Sequence, residues 1–164
     1  MRKVLKEQES TPPCNIRIDK EGVWYYQGAE MFRRDFVNYF YRNLHLDDEG
    51  RYFIELPNDR CFVDVEDSAY IVKAVDYSNT ECDNGTRINL LLCDETKEAL
   101  DPCTLWISPD NVMYCQVREH SFRARFSRAA YYQLAEHIEH DEGQEIFYLN
   151  VNGQRHNIET KSIL

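Results

Sequence analysis

Glycine is scarce: the 164 residues contain six. No G-x-G-x-x-G, no G-x-x-x-x-G-K-[ST] and no G-x-S-x-G occurs. The dinucleotide fingerprint, the P-loop and the nucleophile elbow are thereby excluded. Any bound phosphate must be held by side chains and helix N-termini rather than by a glycine cradle. Cationic charge is also short, with 19 Lys and Arg against 29 Asp and Glu, a net charge of −10. Duplex nucleic acid and anionic membranes are bound through Lys and Arg clusters, so this balance argues against both. A small anion in a local basic pocket is still allowed, because a pocket's field is set by its nearest charges.

No run approaches the roughly 18 apolar residues of a membrane span. The basic opening Met1-Arg2-Lys3-Val4-Leu5-Lys6 leads into no apolar signal-peptide core. The six cysteines, Cys14, Cys61, Cys82, Cys93, Cys103 and Cys115, include no C-x-x-C pair. Structural zinc favours such pairs, so the cysteines read as reduced thiols of a cytoplasmic protein, and no metal ligand is assigned.

What is present suits one compact α+β unit. Hydrophobic residues make up 43% of the chain and aromatics 13%, enough to fill a core at this length. Residues 1–13 are polar, end in Pro12-Pro13 and read as a flexible arm. Ile16 and Ile18 alternate as in a strand, and Val23-Trp24-Tyr25-Tyr26 is rich in β-formers. Phe32, Phe36, Val37, Phe40 and Leu44 recur at helical spacing over 32–44. Strands are expected at 51–56, 61–65, 70–75 and 88–92, the last two joined by a hairpin at Asn84-Gly85. Further strands are expected at 104–107, 112–117 and 121–126. A second helix is expected over 127–139, then a hairpin around Asn152-Gly153.

The pattern repeats. Val23-Trp24-Tyr25-Tyr26-Gln27 aligns with Val112-Met113-Tyr114-Cys115-Gln116, each after a turn that contains Gly22 or Asn111. Each segment leads to a helix opening near Phe32-Arg33-Arg34 or Phe126-Ser127-Arg128. Each helix runs into an Asp-Glu-Gly turn, 48–50 or 141–143, and then an aromatic strand. Two related hairpin–helix–strand repeats, with mainly antiparallel sheets, are expected at 14–76 and 77–164, with a cleft along their seam.

Several stretches resemble the bacterial family DUF1285: Ile16-Arg17-Ile18-Asp19 with Gly22-Val23-Trp24-Tyr25, Gly50-Arg51-Tyr52, Val63-Asp64-Val65-Glu66-Asp67 with Ala69-Tyr70, and Arg125 with Arg128-Ala129-Ala130-Tyr131-Tyr132. They span about residues 14–158. The resemblance implies a duplicated α+β fold whose second half is loosely pleckstrin-homology-like. It also implies a cleft for a nucleotide-like ligand and a signalling role. It implies no catalytic residue and no cofactor. The chain departs from the family pattern in its many cysteines and in the acidic end of its second helix.

Arg118, Arg123, Arg125 and Arg128 crowd into eleven residues of an acidic chain. Alternation turns Phe122, Ala124 and Phe126 inward and puts Arg123 and Arg125 together on the other face. Arg128 opens the second helix, where the macrodipole favours anions, and Arg33 and Arg34 hold the matching place in the first repeat. Guanidinium groups bind phosphate or carboxylate bidentately, and Trp24 or Tyr131 could stack on a ring. The ordinary alternative is a solvated face paired with the surplus acids and aromatics packed in the core.

Asp64, Glu66 and Asp67 could hold a hard cation, and His137 and His140 share a helical face in this reading. Both groups read more simply as polar surface, and His137-Ile138-Glu139-His140 lacks the H-E-x-x-H order of zinc hydrolases. The expected function is therefore a non-enzymatic binding module. Arg33, Arg34, Arg123, Arg125 and Arg128, with Trp24 or Tyr131, would hold a small anion. The alternative is a protein-interaction scaffold; a metal-dependent hydrolase comes third.

Overall fold

The computed structural model describes residues 11–80 and 85–162. The first sheet is built from β1 (Pro13–Ile18), β2 (Trp24–Tyr26), β3 (Ala29–Glu30), β4 (Leu44–Leu46), β5 (Tyr52–Leu56) and β6 (Asp59–Val65), with α1 (Arg34–Arg42) between β3 and β4. Its strand order is β3-β2-β1-β6-β5-β4. The second sheet begins with a meander, β7 (Tyr70–Thr80), β8 (Gly85–Leu92) and β9 (Lys97–Ala99). It continues with β10 (Trp106–Ile107), β11 (Met113–Val117) and β12 (Phe122–Phe126), then α2 (Arg128–Ala135), then β13 (Ile138–Asp141), β14 (Ile146–Val151) and β15 (Gln154–Thr160). Its order is β13-β14-β15-β10-β11-β12-β7-β8-β9.

The duplication is therefore visible as topology. Read from β12 to β13, the second sheet repeats the first strand for strand. β1 runs antiparallel to β2 and parallel to β6; β10 runs antiparallel to β11 and parallel to β15. The opening turns match to the hydrogen bond. In one, Gly22 N donates to Asp19 O, and Asp19 Oδ1 accepts from Val23 N. In the other, Asn111 N donates to Ser108 O, and Ser108 Oγ accepts from Val112 N. Gly22 and Asn111 both take positive φ, +80° and +61°, the conformation that glycine and asparagine tolerate best. The acidic turns correspond as well, one residue earlier than the sequence alignment suggests in the first repeat. The Asp47 carboxylate accepts from Glu49 N and Arg51 N, and that of Asp141 from Gly143 N and Gln144 N.

One continuous core joins the sheets. Ile16, Ile18, Trp24, Val37, Tyr41 and Ile54 pack with Tyr70, Val72, Leu90, Met113, Ala124 and Leu134. At the seam, Tyr41 OH donates to Ala69 O at 2.8 Å, and the Tyr52 ring of β5 stacks on Phe122 of β12 at 6.2 Å. The two-residue turns at Gln27-Gly28 and Asn152-Gly153 have both φ values positive, which suits the right-handed twist of a hairpin.

The helices differ from the sequence expectation. The helix expected over 32–44 is shorter: α1 starts at Arg34, after the exposed Phe32, and ends at Arg42, before Leu44 enters β4. It buries Val37 and Tyr41, four residues apart, and leaves Phe36 exposed. α2 ends at Ala135, so the expected helix over 127–139 gives way to β13, whose residues pair with β14. His140 lies on that strand and stacks on Phe147, while His137 packs 3.9 Å from the Tyr77 ring. The shared helical face on which a metal pair was considered does not form.

The cysteines are also corrected. Cys14 and Cys61 form a disulfide between neighbouring strands β1 and β6, while Cys93, Cys103 and Cys115 are free. Cys82 and Asn84 of the expected hairpin, and residues 1–10 of the expected arm, lie outside the described residues. Among the described residues no helix is long and apolar enough to cross a membrane.

Candidate functional site

The expected alternation on β12 is met. Phe122, Ala124 and Phe126 are buried, and Arg123 and Arg125 emerge together on the opposite face. Both reach one acceptor on the chain between β6 and β7. Arg123 Nη2 donates to Asp67 Oδ1 at 3.1 Å, Arg125 Nη1 donates to Asp67 Oδ2 at 2.8 Å, and Tyr114 OH donates to the same Oδ2 at 2.8 Å. Arg123 is further fixed by bonds to Ser68 Oγ and Asp67 O. Burial, reinforced by the Asp67 hydrogen bond, pushes the Tyr114 phenol up to about 12. Much of the arginine charge on this strand is thus committed internally. Arg118 is committed too, to the buried Asp94.

Arg128 is different. It is exposed at the first turn of α2 and makes no ion pair among the described residues. Ser127 caps the helix by accepting from Ala130 N at 3.2 Å. Arg128 lines a pocket of about 330 Å³ together with Asp110, Asn111, Met113, Arg125, Tyr131 and Tyr132. Tyr131 is half-buried and its hydroxyl donates to Asn111 Oδ1 at 2.7 Å, while Tyr132 is 63% exposed. Adjacent tyrosines on a helix cannot both face inward, and here it is Tyr132 that turns to solvent.

A larger cleft of about 900 Å³ runs between the repeats. Tyr52, Phe62 and Asp64 line one side, and Gln116, His120 and Arg123 the other. Arg51 sits there with its guanidinium 4.5 Å over the Phe62 ring and its Nε bonded to Asp47. The two arginine sets do not meet in either place. Arg33 is paired with Asp35 at the start of α1, and Arg34 Nη2 donates to Cys93 O at 2.7 Å. Trp24 is 2% exposed against Phe40 and Tyr41, which leaves no ring face for a ligand. Arg125, Arg128 and Tyr131 are the expected residues that converge.

Of the carboxylates noted in sequence, Asp64 and Asp67 both line the cleft, but Asp67 is taken by the β12 arginines, and Glu66 lies 3.5 Å from Arg17. No group of three or more His, Cys, Asp or Glu among the described residues could hold a metal ion.

Residues 7–68 match the family described as domain of unknown function DUF1285, N-terminal domain. Over these residues the chain is similar to the N-terminal domain of that family. Two solved DUF1285 family proteins share the fold. That from Silicibacter pomeroyi DSS-3 is 19% identical, with a TM-score of 0.73 over 90% of this chain and 82% of its own. That from Shewanella baltica OS155 is 23% identical, with a TM-score of 0.61 over 76% of this chain and 91% of its own. At these identities the likeness is one of fold. No curated protein matches this chain in sequence. The DUF1285 N-terminal match ends at Ser68, just before β7 enters the second sheet.

Asp67 and Asn111 are the residues whose importance sequence reading missed. Asn111 carried a signal as the counterpart of Gly22. Asp67 carried none beyond its place in an acidic group, because its partners lie 47 to 58 residues away.

Proposed function

We propose that this protein is a non-enzymatic binding module whose pocket beside α2 holds a small anion. The observation that carries the reading is Arg128: exposed, without an ion pair among the described residues, and next to a pocket that also presents Arg125, Tyr131, Tyr132 and the Asn111 amide. A guanidinium at a helix N-terminus adds its charge to the partial charge of free backbone N–H groups. Asp110 offsets part of that charge, which favours a small anion over a polyanion. The pocket lies within the second repeat rather than on the seam. A nucleotide-like ligand that passes a signal to a partner remains within this reading, its anion on Arg128 and its ring on Tyr132.

The test is a thermal-shift and calorimetric screen with inorganic phosphate, mononucleotides and dinucleotides. A ligand at 100 times its Kd stabilises by about 2.7 kcal/mol, which raises the midpoint of a chain this size by roughly 5–10 °C. Arg128→Ala should abolish the shift while leaving the unliganded midpoint near wild type, since the side chain is exposed and makes no ion pair among the described residues. A shift that survives in Arg128→Ala overturns the site.

A second reading, a protein-interaction scaffold, draws on Phe32, Phe36 and Tyr39, which are 77%, 48% and 42% exposed around α1. Exposed aromatics grouped in this way are characteristic of protein contacts. A stoichiometric partner lost on Phe32→Ser/Phe36→Ser, with no response to any anion, would favour it.

A further inference from the structure

The pocket beside Arg128 has a neighbour of opposite character. On the other side of Tyr131 lies a second cavity of about 380 Å³, lined mainly by Ile107, Pro109, Ala135, Ile138 and Phe147. The two share Tyr131 and Asn111. The hydrogen-bonded pair Tyr131 and Asn111 thus borders both a cationic pocket and a mainly apolar one. Phe147 is 48% exposed and Ile138 half-buried, so apolar surface is left uncovered where the second cavity opens. Each volume alone is at the low end for a ligand site, and the two together reach its middle range.

We infer that the ligand is a soluble anionic amphiphile: a carboxylate or phosphate head on Arg128, and an alkyl or aryl body laid across Tyr131 into the cavity formed by Ile107, Ala135, Ile138 and Phe147. This assignment rests on the anion-binding reading above and names its ligand class. The mainly apolar lining rewards a hydrocarbon body, whereas a polar base finds few partners there: Ser108 Oγ already accepts from Val112 N, Asn111 Oδ1 from Tyr131, and Thr160 is exposed to solvent. Tyr131 suits the crossing point, since its ring offers an apolar edge to the body while its hydroxyl stays bonded to Asn111.

Calorimetry with inorganic phosphate, butyl, hexyl and octyl phosphate, and octanol tests this. Affinity should rise about fourfold per added methylene until the cavity is filled. Arg128→Ala should weaken every phosphate at least tenfold. Ala135→Leu, which fills the second cavity, should flatten the dependence on chain length while inorganic phosphate binds as before. Phe147→Ser, at a half-exposed position on β14, should reduce the same dependence while inorganic phosphate binds as before. Phosphate binding with no dependence on chain length overturns the amphiphile and leaves the anion site standing. No binding of any phosphate overturns both. Octanol binding as tightly as octyl phosphate, or binding to phosphatidylglycerol vesicles without any response to monomeric octyl phosphate, also overturns the assignment.

Discussion

Arg125 of β12 donates to Asp67 Oδ2 at 2.8 Å across 58 residues of sequence, tying the second repeat to the chain that leaves the first. Asp67 also takes Arg123 and the Tyr114 hydroxyl, with its side chain 13% exposed. Removing it leaves two guanidinium groups and a phenol without their acceptor. Asp67→Ala should cost about 2–4 kcal/mol, and Asp67→Asn, which keeps an acceptor but loses the charge, about half of that. Urea denaturation of the two variants is the measurement. Equal and negligible losses would show that the cluster contributes nothing to stability.

Gly22 and Asn111 occupy matching turns, but their substitutions should not match. A Cβ on Gly22 would lie 2.5 Å from Ile71 Cγ1, in a backbone conformation that side chains resist. Gly22→Ala should therefore destabilise by about 2–4 kcal/mol, from overpacking and the left-handed φ together. Asn111→Gly removes one exposed hydrogen bond and relaxes the turn, so stability should change by less than about 1 kcal/mol. Thermal midpoints of the two variants give the comparison, and a tolerated Gly22→Ala would mean that Ile71 moves aside freely.

The Cys14–Cys61 bridge closes a sequence separation of 47 residues within the first repeat. Loop-closure entropy alone assigns such a bridge about 4 kcal/mol. Reduction, or Cys61→Ser, should lower the thermal midpoint by roughly 10 °C. The measurement is a melt with and without reductant, with free thiols counted beforehand. An unchanged melt would mean that the strand pairing between β1 and β6 is sufficient by itself.

The bridge also shows where sequence reading stops. Short-range pattern was legible: the alternation of Phe122, Ala124 and Phe126, the turns at Gly22 and Asn111, the hairpin at Asn152-Gly153 and the order of the repeat. These depend on a few neighbouring residues. The disulfide depends on the parallel pairing of β1 with β6, which only the assembled sheet specifies. α1 carries aromatics on both faces, so Phe36 fits a helical period as well as Val37 and Tyr41 do, and Phe32 continues that period although it precedes the helix. The metal pair at His137 and His140 failed because β13 forms through its pairing with β14, which overrides the helical spacing of Ile138. At the site, Arg125, Arg128 and Tyr131 were found because they are close in sequence. The separation of Arg33 and Arg34 from them reflects the packing of the repeats, which no local pattern records.

Tyr70, Tyr77 and Tyr114 are each held up at about 12, chiefly by burial. In the unfolded chain these phenols ionise near the ordinary value of about 10. A phenol whose folded pKa is raised contributes stability that is fully present below about pH 10 and is lost as pH rises toward about 12. The protein should therefore unfold cooperatively in alkali within that window, and these three tyrosinates should appear together with the loss of structure. Tyr77→Phe removes one of the three at the cost of a 3.3 Å hydrogen bond to Gln133 O, so its alkaline midpoint should move upward. Tyrosinate absorbance followed beside circular dichroism decides the matter. Complete ionisation of all eleven tyrosines below about pH 11 with the dichroism unchanged would mean that the buried phenols are open to solvent.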